Sequence, residues 1–486
     1  MKLSELLKGI HVTECTASMD MDVAGVSYDS RTTANGEMYV AVTGYATDGH
    51  QYIPGAVEKG AAVVLCEKKP EVPVPYVLVD NSRLALAQAG CNWYKNPAKE
   101  MTVIGVTGTN GKTTVTYLLK SVLEQTLDAK VGLIGTIQNM IGDTVLETER
   151  TTPESIEVQK LFRQMADAGC THVVMETSSH ALYLHRLHGI RFKVGVFTNL
   201  TEDHLDFHET MENYRKAKEI LFQNCDVGVF NLDDPATKTM MENAACPCIT
   251  CSIGKDEADL NARNLILHAD HVGFDAVIGN EISRFRLNIP GKFSAYNALS
   301  VVGAAKALEI PLAKIAEALR NAQGVKGRVE VVPTPGKDYT ILIDYAHTPD
   351  GLENVLSSVQ DYCQGRVIAV FGCGGDRDPF KRPIMGKIGV DLADYVVFTS
   401  DNPRTEDPDE ILRQIVAGVG KTKTPYKVIE NRREAIRWAM DHAKKDDIIV
   451  LAGKGHETYQ ILGKEKTHLD EREVVAAHLG GTAEEN

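Results

Sequence analysis

The sequence predicts an α/β protein of three domains with mostly parallel sheets. Short apolar runs, "AAVVLCEK", "MTVIGVTG", "THVVMETS", "VGVFTNL", "YTILIDYA", "RVIAVFG", "DYVVFTS" and "DIIVLAG", alternate with helical patterns almost throughout. Strands joined through helices pair in parallel and are covered on both faces. At 486 residues the chain exceeds what one hydrophobic core supports. Two breaks rich in polar residues, Gly and Pro, "YKNPAKE" at 94–100 and "GVKGRVEVVPTPGKD" at 324–338, divide it into pieces of 1–97, 98–328 and 329–486.

Composition narrows the function. Hydrophobic residues make up 43% of the chain, ample for burial, and 66 Asp and Glu against 52 Lys and Arg give a formal net charge of −14. That balance argues against a nucleic-acid-binding face, which needs clustered basic residues. It leaves room for an anionic small substrate met by local loops. The start, "MKLSELLKGIHV", reads as a short amphipathic helix without the apolar core of a secretion signal. No apolar run approaches the roughly 20 residues that span a bilayer. The ten cysteines are scattered, as in reduced cytoplasmic proteins. Only "CPCITC" (Cys246, Cys248, Cys251) clusters, and it lacks the four regularly paired ligands of a zinc site. A cytoplasmic monomer without a membrane span is expected.

The first piece offers little chemistry of its own: "YDSR", with Ser30, reads as an ordinary turn. The second opens on "MTVIGVTGTNGKTTVTYLLKSVL", a buried strand, a glycine-rich turn and a helix. Backbone amides of such a turn, with the helix N-terminus, cradle phosphate. Lys112 would reach the terminal phosphates and the Thr113 hydroxyl would meet Mg²⁺. The usual glycine–four–glycine–lysine spacing fails, because Val106 stands where the first glycine belongs and Gly105 and Gly108 flank it. No guanine-reading Asn-Lys-x-Asp motif follows, so ATP is expected rather than GTP. Glu176 ends one strand, and "LTEDHLDFH" with His204 and His208 follows another. These groups either assemble a Mg²⁺ site at neighbouring strand ends or solvate loop tips.

In "HETMENYRKAKEILF" the apolar stripe runs Met211, Tyr214, Lys218, Leu221, at helical spacing, while Lys216 points elsewhere. A lysine on a buried stripe admits two readings. It snorkels its ammonium to water, or desolvation lowers its pKa and the neutral amine adds CO₂ to become a carbamate, an oxygen ligand for a second Mg²⁺. The third piece carries "SDNPRTEDP", a loop shaped by two prolines after the strand "ADYVVFT". Loops at the carboxyl ends of α/β strands bind ligands. By itself, Arg404 reads either as the holder of an anion or as the partner of Glu406 or Asp407.

Together, "GVTGTNGKTT", "METSSHAL", "TNLTEDHLDFH" and "YRKAK" resemble the Mur ligase family of peptidoglycan precursor synthesis. "VSYDSRTTANGEMYVAVTGYATDGH", "IDYAHTPDGL", "GCGGDRDPFKRPIMG", "SDNPRTEDP" and "AGKGHETYQ" are similar to its members that add the third peptide residue, so that the resemblance covers about residues 23–475. It implies an N-terminal UDP-binding domain, a central P-loop-type ATPase domain and a Rossmann-like C-terminal domain that carries the incoming amino acid. It also implies a reaction. ATP phosphorylates a carboxylate of UDP-N-acetylmuramoyl-L-alanyl-D-glutamate, and an amino group attacks the acyl phosphate.

The resemblance further implies residue roles. Gly108, Thr109, Asn110, Gly111, Lys112, Thr113 and Thr114 bind ATP, with Asn297 at adenine, Arg328 at phosphate and Asp344 on the ribose side. Thr113 and Glu176 hold one Mg²⁺. Glu176, His204 and Lys218 as its carbamate (N6-carboxylysine) surround a second. With Lys112 these form the catalytic group. Ser30, Tyr45, Ala46 and Thr47 lie at uridine, and Thr151, Thr152, Ser178 and Arg186 at the muramoyl dipeptide. Leu184 departs from a glutamine found in some relatives, and the uridine triplet differs in sequence. Arg377, Asp401, Asn402, Pro403, Arg404, Gly453 and Glu457 form the amino-acid pocket. Arg404 implies meso-diaminopimelate rather than L-lysine, because a guanidinium fork pairs the extra carboxylate. A lysine-adding ligase and a folylpolyglutamate synthetase-like ligase are the alternatives within the superfamily. The second lacks an N-terminal domain like the roughly 100 residues that precede the phosphate loop here. A nucleotide-dependent switch protein would leave Lys218, His204 and the "DNPR" loop unexplained.

Overall fold

The computed structural model describes residues 1–44, 47–148 and 150–480. The N-terminal sheet runs in the order Val12–Cys15, Tyr76–Val79, Val63–Cys66, Met38–Val40, Val26–Ser27. Its pairs are parallel except for the antiparallel edge strand Val12–Cys15. Helix Ser82–Trp93 is started by Asn81, whose side chain accepts from the Leu84 amide. It packs on helix Ser155–Asp167 of the next layer, whose Ile156 joins the N-terminal core.

The central sheet is built on "MTVIGVTG". Strand Thr102–Thr107 lies between His172–Glu176 and Phe192–Phe197, parallel to both. Beyond them lie Val131–Ile134 on one side and Cys225–Asn231, then Cys248–Ser252, on the other. Both faces are covered, which explains the unbroken apolar runs, and the core gathers Val103, Phe162, Val173, Phe192, Leu221 and Phe222. "CPCITC" belongs to this sheet: Cys251 is buried and the Cys225 and Cys246 sulfurs are 3.4 Å apart. Among the described residues no cysteines are joined in a disulfide, and no group of three or more His, Cys, Asp or Glu is gathered to hold a metal ion.

By compactness the chain divides into two units. One is Met1–Asp259 with Ser300–Pro311, and the other is Leu260–Leu299 with the chain from Leu312 onward. The second contains an antiparallel meander, Leu260–Leu267, Val272–Ile278 and Glu281–Leu287, with helix Leu312–Asn321 against it. Its six-stranded sheet runs Glu330–Val332, Thr340–Asp344, Ile448–Ala452, Val367–Phe371, Tyr395–Phe398, Tyr426–Val428. All its pairs are parallel except the edge strand Glu330–Val332, as a Rossmann-like layer requires.

Candidate active site

Three central strands end at one edge. Glu176 is in register with Val106 and Phe197 with Thr107, so the loops from "MTVIGVTG", "THVVME" and "VGVFTN" leave the sheet together. The phosphate loop is clamped there. Gly108 has φ +147°, and a Cβ would sit 1.9 Å from Thr198 Oγ1. Only glycine fits both the backbone and the space. The Thr109 amide donates to the Asn199 carbonyl at 2.9 Å, and the Asn110 amide to Asn199 Oδ1 at 2.9 Å. Gly111, at φ +85°, leads into helix Lys112–Leu127, whose first turn buries Thr113 and Thr114. Lys112 Nζ donates to the carbonyls of Gly108 at 2.9 Å and Thr109 at 2.7 Å.

Lys218 does not snorkel. It lies on helix Met211–Gln223, is 1% exposed, and its Nζ donates to the Gly108 carbonyl at 2.9 Å. The ammonium lies 4.3 Å from the Tyr214 ring centre. Burial holds its pKa well below the ordinary 10.5, and nearby Lys112 pushes the same way. Glu176, fully buried, accepts from the Thr136 amide at 2.9 Å and from its hydroxyl at 3.0 Å. His204 stands beside Asp203, Nε2 to Oδ2 3.5 Å, with His180 at 4.9 Å between ring centres. Burial lowers its pKa and favours the neutral ring, the form that binds metals. His208 is a structural histidine. Its Nε2 meets Ser179 Oγ at 2.9 Å, and burial lowers its pKa to about 4.

The residues assigned to the muramoyl dipeptide gather around Glu176. The Thr152 hydroxyl donates to the Glu176 carbonyl at 2.7 Å, and the Ser178 amide donates to Thr152 Oγ1 at 3.2 Å. Thr151 Oγ1 is 3.0 Å from Thr136 Oγ1. Arg186 Nη1 donates to the Thr152 carbonyl at 3.1 Å, and its Nε is 3.3 Å from Glu154 Oε2. Ser30 is half-buried in a turn, and the Thr47 carbonyl accepts from the Gly44 amide at 2.8 Å. Tyr45 and Ala46 lie outside the described residues.

The second unit places the rest, apart from Asn297 and Arg328, at the carboxyl ends of its own parallel strands. The Asn402 side chain donates to Glu457 Oε2 at 3.0 Å and accepts from Lys454 Nζ at 2.8 Å. Lys454, fully buried, also donates to Glu457 at 2.8 Å. Asp401 Oδ1 accepts from the Asn402 amide at 2.6 Å, and the Pro403 carbonyl from the Glu406 amide at 3.1 Å. The Gly453 amide donates to the Asp344 carbonyl at 3.0 Å. Arg404 does not pair with Glu406 or Asp407: its Nη1 donates to the Gly375 carbonyl at 2.8 Å, and Arg382 takes Glu406. Arg377 is exposed and donates to the Asp376 carbonyl at 3.0 Å. Asp344 spends its carboxylate on the amides of Val329 and Ala346, both at 2.8 Å. That anchors the segment of Arg328, whose guanidinium lies 5.3 Å from the Tyr345 ring centre. Asn297 is buried on helix Lys292–Ala307. Sequence reasoning missed Thr136, Lys454 and Arg382, each of which has a partner far along the chain: Glu176, Asn402 and Glu406.

A glycine-rich phosphate cradle, a buried acid and lysine beside it, and a Rossmann-like layer with an arginine loop define an ATP-dependent ligase class. Three family descriptions match in order: "Mur ligase family, catalytic domain" over residues 22–94, "Mur ligase middle domain" over 106–305, and "Mur ligase, glutamate ligase domain" over 327–455. The chain belongs to the Mur ligase family. Among curated relatives, the UDP-N-acetylmuramoyl-L-alanyl-D-glutamate--2,6-diaminopimelate ligase of Clostridium botulinum is 49% identical over 93% of this chain and 94% of that one. The protein of the same name from Caldanaerobacter subterraneus is 48% identical over 98% of both chains. A solved structure of a ligase of that name superposes with TM-score 0.74 at 30% identity, covering 99% of each chain. A Mycobacterium tuberculosis folylpolyglutamate synthase shares the fold, with TM-score 0.61 at 16% identity over 82% of this chain and 93% of that one.

Proposed function

We propose that this chain adds meso-diaminopimelate to UDP-N-acetylmuramoyl-L-alanyl-D-glutamate, with ATP, in peptidoglycan synthesis. The names of its relatives support the reaction, and the Arg404 loop carries the choice of amino acid. Residues 1–97 would take the nucleotide sugar, 98–328 ATP, and 329–486 the amino acid. Gly108 to Thr114 cradle the ATP phosphates, and Lys112 turns from the loop's carbonyls to their charge. A free carboxylate is a poor acylating agent, so phosphorylation supplies its leaving group, and catalysis is chiefly positioning and charge neutralisation. Thr151, Thr152, Ser178 and Arg186 would hold the dipeptide with its carboxylate toward the phosphate loop.

Two Mg²⁺ ions would neutralise phosphate charge, held by the Thr113 hydroxyl, Glu176 and His204; the first two offer the oxygen donors a hard cation prefers, and His204 a nitrogen. The set lacks one anion. Lys218, buried and biased to a neutral amine, can supply it: its nitrogen attacks CO₂, a proton leaves, and a carbamate remains. No helix among the described residues is long and apolar enough to cross a membrane. A cytoplasmic monomer fits this reading.

Diaminopimelate is lysine with a second carboxylate at its far end. A site built to bond a group rejects the analogue lacking it, so discrimination against L-lysine of about 10³-fold or more in kcat/KM is expected. The test is amino-acid-dependent phosphate release with both amino acids, for wild type and Arg404→Ala. The variant should lose most diaminopimelate activity and narrow the ratio, while Kd for ATP and the UDP substrate stays near wild type. A wild type that prefers lysine, or a variant with the wild-type ratio, defeats the proposal.

A further inference from the structure

Arg404 sits among carboxylates of its own chain. Glu406 is in the same turn, and a Cβ built at Gly375 would lie 3.3 Å from Glu406 Cβ and 1.9 Å from the Pro403 carbonyl. Gly375 is also where Arg404 rests, through its carbonyl at 2.8 Å. An Arg404–Glu406 pair inside this turn would cancel the charge that a substrate carboxylate needs. It would form without a second molecule, and so would compete at high effective concentration.

Glu406 is engaged elsewhere. Arg382, on helix Lys381–Leu392 and 1% exposed, grips both its oxygens, Nη1 to Oε2 at 2.8 Å and Nη2 to Oε1 at 2.9 Å. The Asp376 amide adds a bond to Oε1 at 2.6 Å. Arg382 is itself fixed by Gln414 Oε1 at 2.8 Å and the Gly374 carbonyl at 3.2 Å. Asp376, another acid of this loop pair, is occupied by the Thr405 hydroxyl at 2.6 Å. What the Arg404 guanidinium meets is carbonyl oxygen, from Gly375 and Asn402.

We infer that Arg382 is a specificity-determining positioning residue: by holding Glu406 it keeps the charge of Arg404 available for the far carboxylate of the amino acid. The inference rests on the reading of Arg404 given above. In this role Arg382 acts through Glu406, which it holds by two bonds. Freed, Glu406 turns to Arg404 and competes with diaminopimelate. L-lysine, which offers Arg404 nothing, is affected less.

The test compares KM for diaminopimelate and for L-lysine in wild type, Arg382→Met, Glu406→Gln, the double variant and Arg404→Ala, at saturating ATP and UDP substrate. Arg382→Met should raise KM for diaminopimelate about tenfold or more, the scale of a charge-assisted carboxylate contact, and lower selectivity. Glu406→Gln alone should stay within about threefold of wild type, and adding it to Arg382→Met should return KM to about that range. A structural role predicts that KM for both amino acids rises and recovers together, because Glu406→Gln would also relieve an unpaired charge. A rise and rescue confined to diaminopimelate marks the specificity role, and an equal rise for L-lysine overturns it. An unchanged KM in Arg382→Met, or a double variant as impaired as the single one, overturns the inference. Should Arg382→Met not fold, Arg382→Lys, which loses the two-point grip, should still raise KM for diaminopimelate about fivefold or more, and adding Glu406→Gln should return it to within about threefold of wild type. The two readings fail separately. An unaltered amino-acid ratio in Arg404→Ala defeats the role of Arg404, whereas a collapsed ratio without rescue by Glu406→Gln defeats only that of Arg382.

Discussion

Lys218 shows what a single residue reveals and conceals. Its place on a buried stripe was readable, because Tyr214, Lys218 and Leu221 recur at helical spacing and all three are buried. That its amine reaches the Gly108 carbonyl was not, since the two are 110 residues apart and only the fold joins them. The carbamate reading makes a specific demand. Lys218→Ala should lose most ligation while still binding ATP. Excess bicarbonate should not help, whereas short carboxylic acids should partly restore turnover by filling the vacated space. Near-normal turnover in the steady-state assay would rule the carbamate out.

Among the elements, parallel strands were the most legible, because burial on both faces leaves an unmistakable apolar run. The antiparallel meander Leu260–Leu287 was not anticipated. Its strands are half exposed, and their mixed sequence, as in "EISRFRL", carries little signal. The pairing of helix Ser82–Trp93 with the central layer was equally hidden. His188 Nε2 meets Gln88 Oε1 there at 3.1 Å, and the Cys91 thiol reaches the His188 carbonyl at 3.5 Å. Burial lowers the His188 pKa from its ordinary 6.5, so the unfolded chain takes up a proton that the folded one refuses. Stability therefore falls as pH drops through that value. His188→Gln should shrink the fall in urea midpoint between about pH 7.5 and about pH 5.5. A steeper fall in the variant would contradict the assignment.

For the molecule as a whole, two compact units mean that unfolding need not be a single cooperative event. Calorimetry should resolve two transitions. A non-hydrolysable ATP analogue at about 100 times its Kd should stabilise the unit bearing the phosphate loop by about 2.7 kcal/mol and raise that transition preferentially. One transition that moves as a whole would show the units to be thermodynamically fused. That the chain exceeds one domain was legible from its length, but the grouping of the N-terminal layer with the central one depends on contacts such as Tyr28 to Glu157, 2.6 Å across 129 residues. The Arg382–Glu406 pair bears on heredity. If Arg382 has the role inferred above, a descendant that lost it would keep "DNPR" intact while its preference for the amino acid with the extra carboxylate weakened. The signature loop read without position 382 would then overstate that preference.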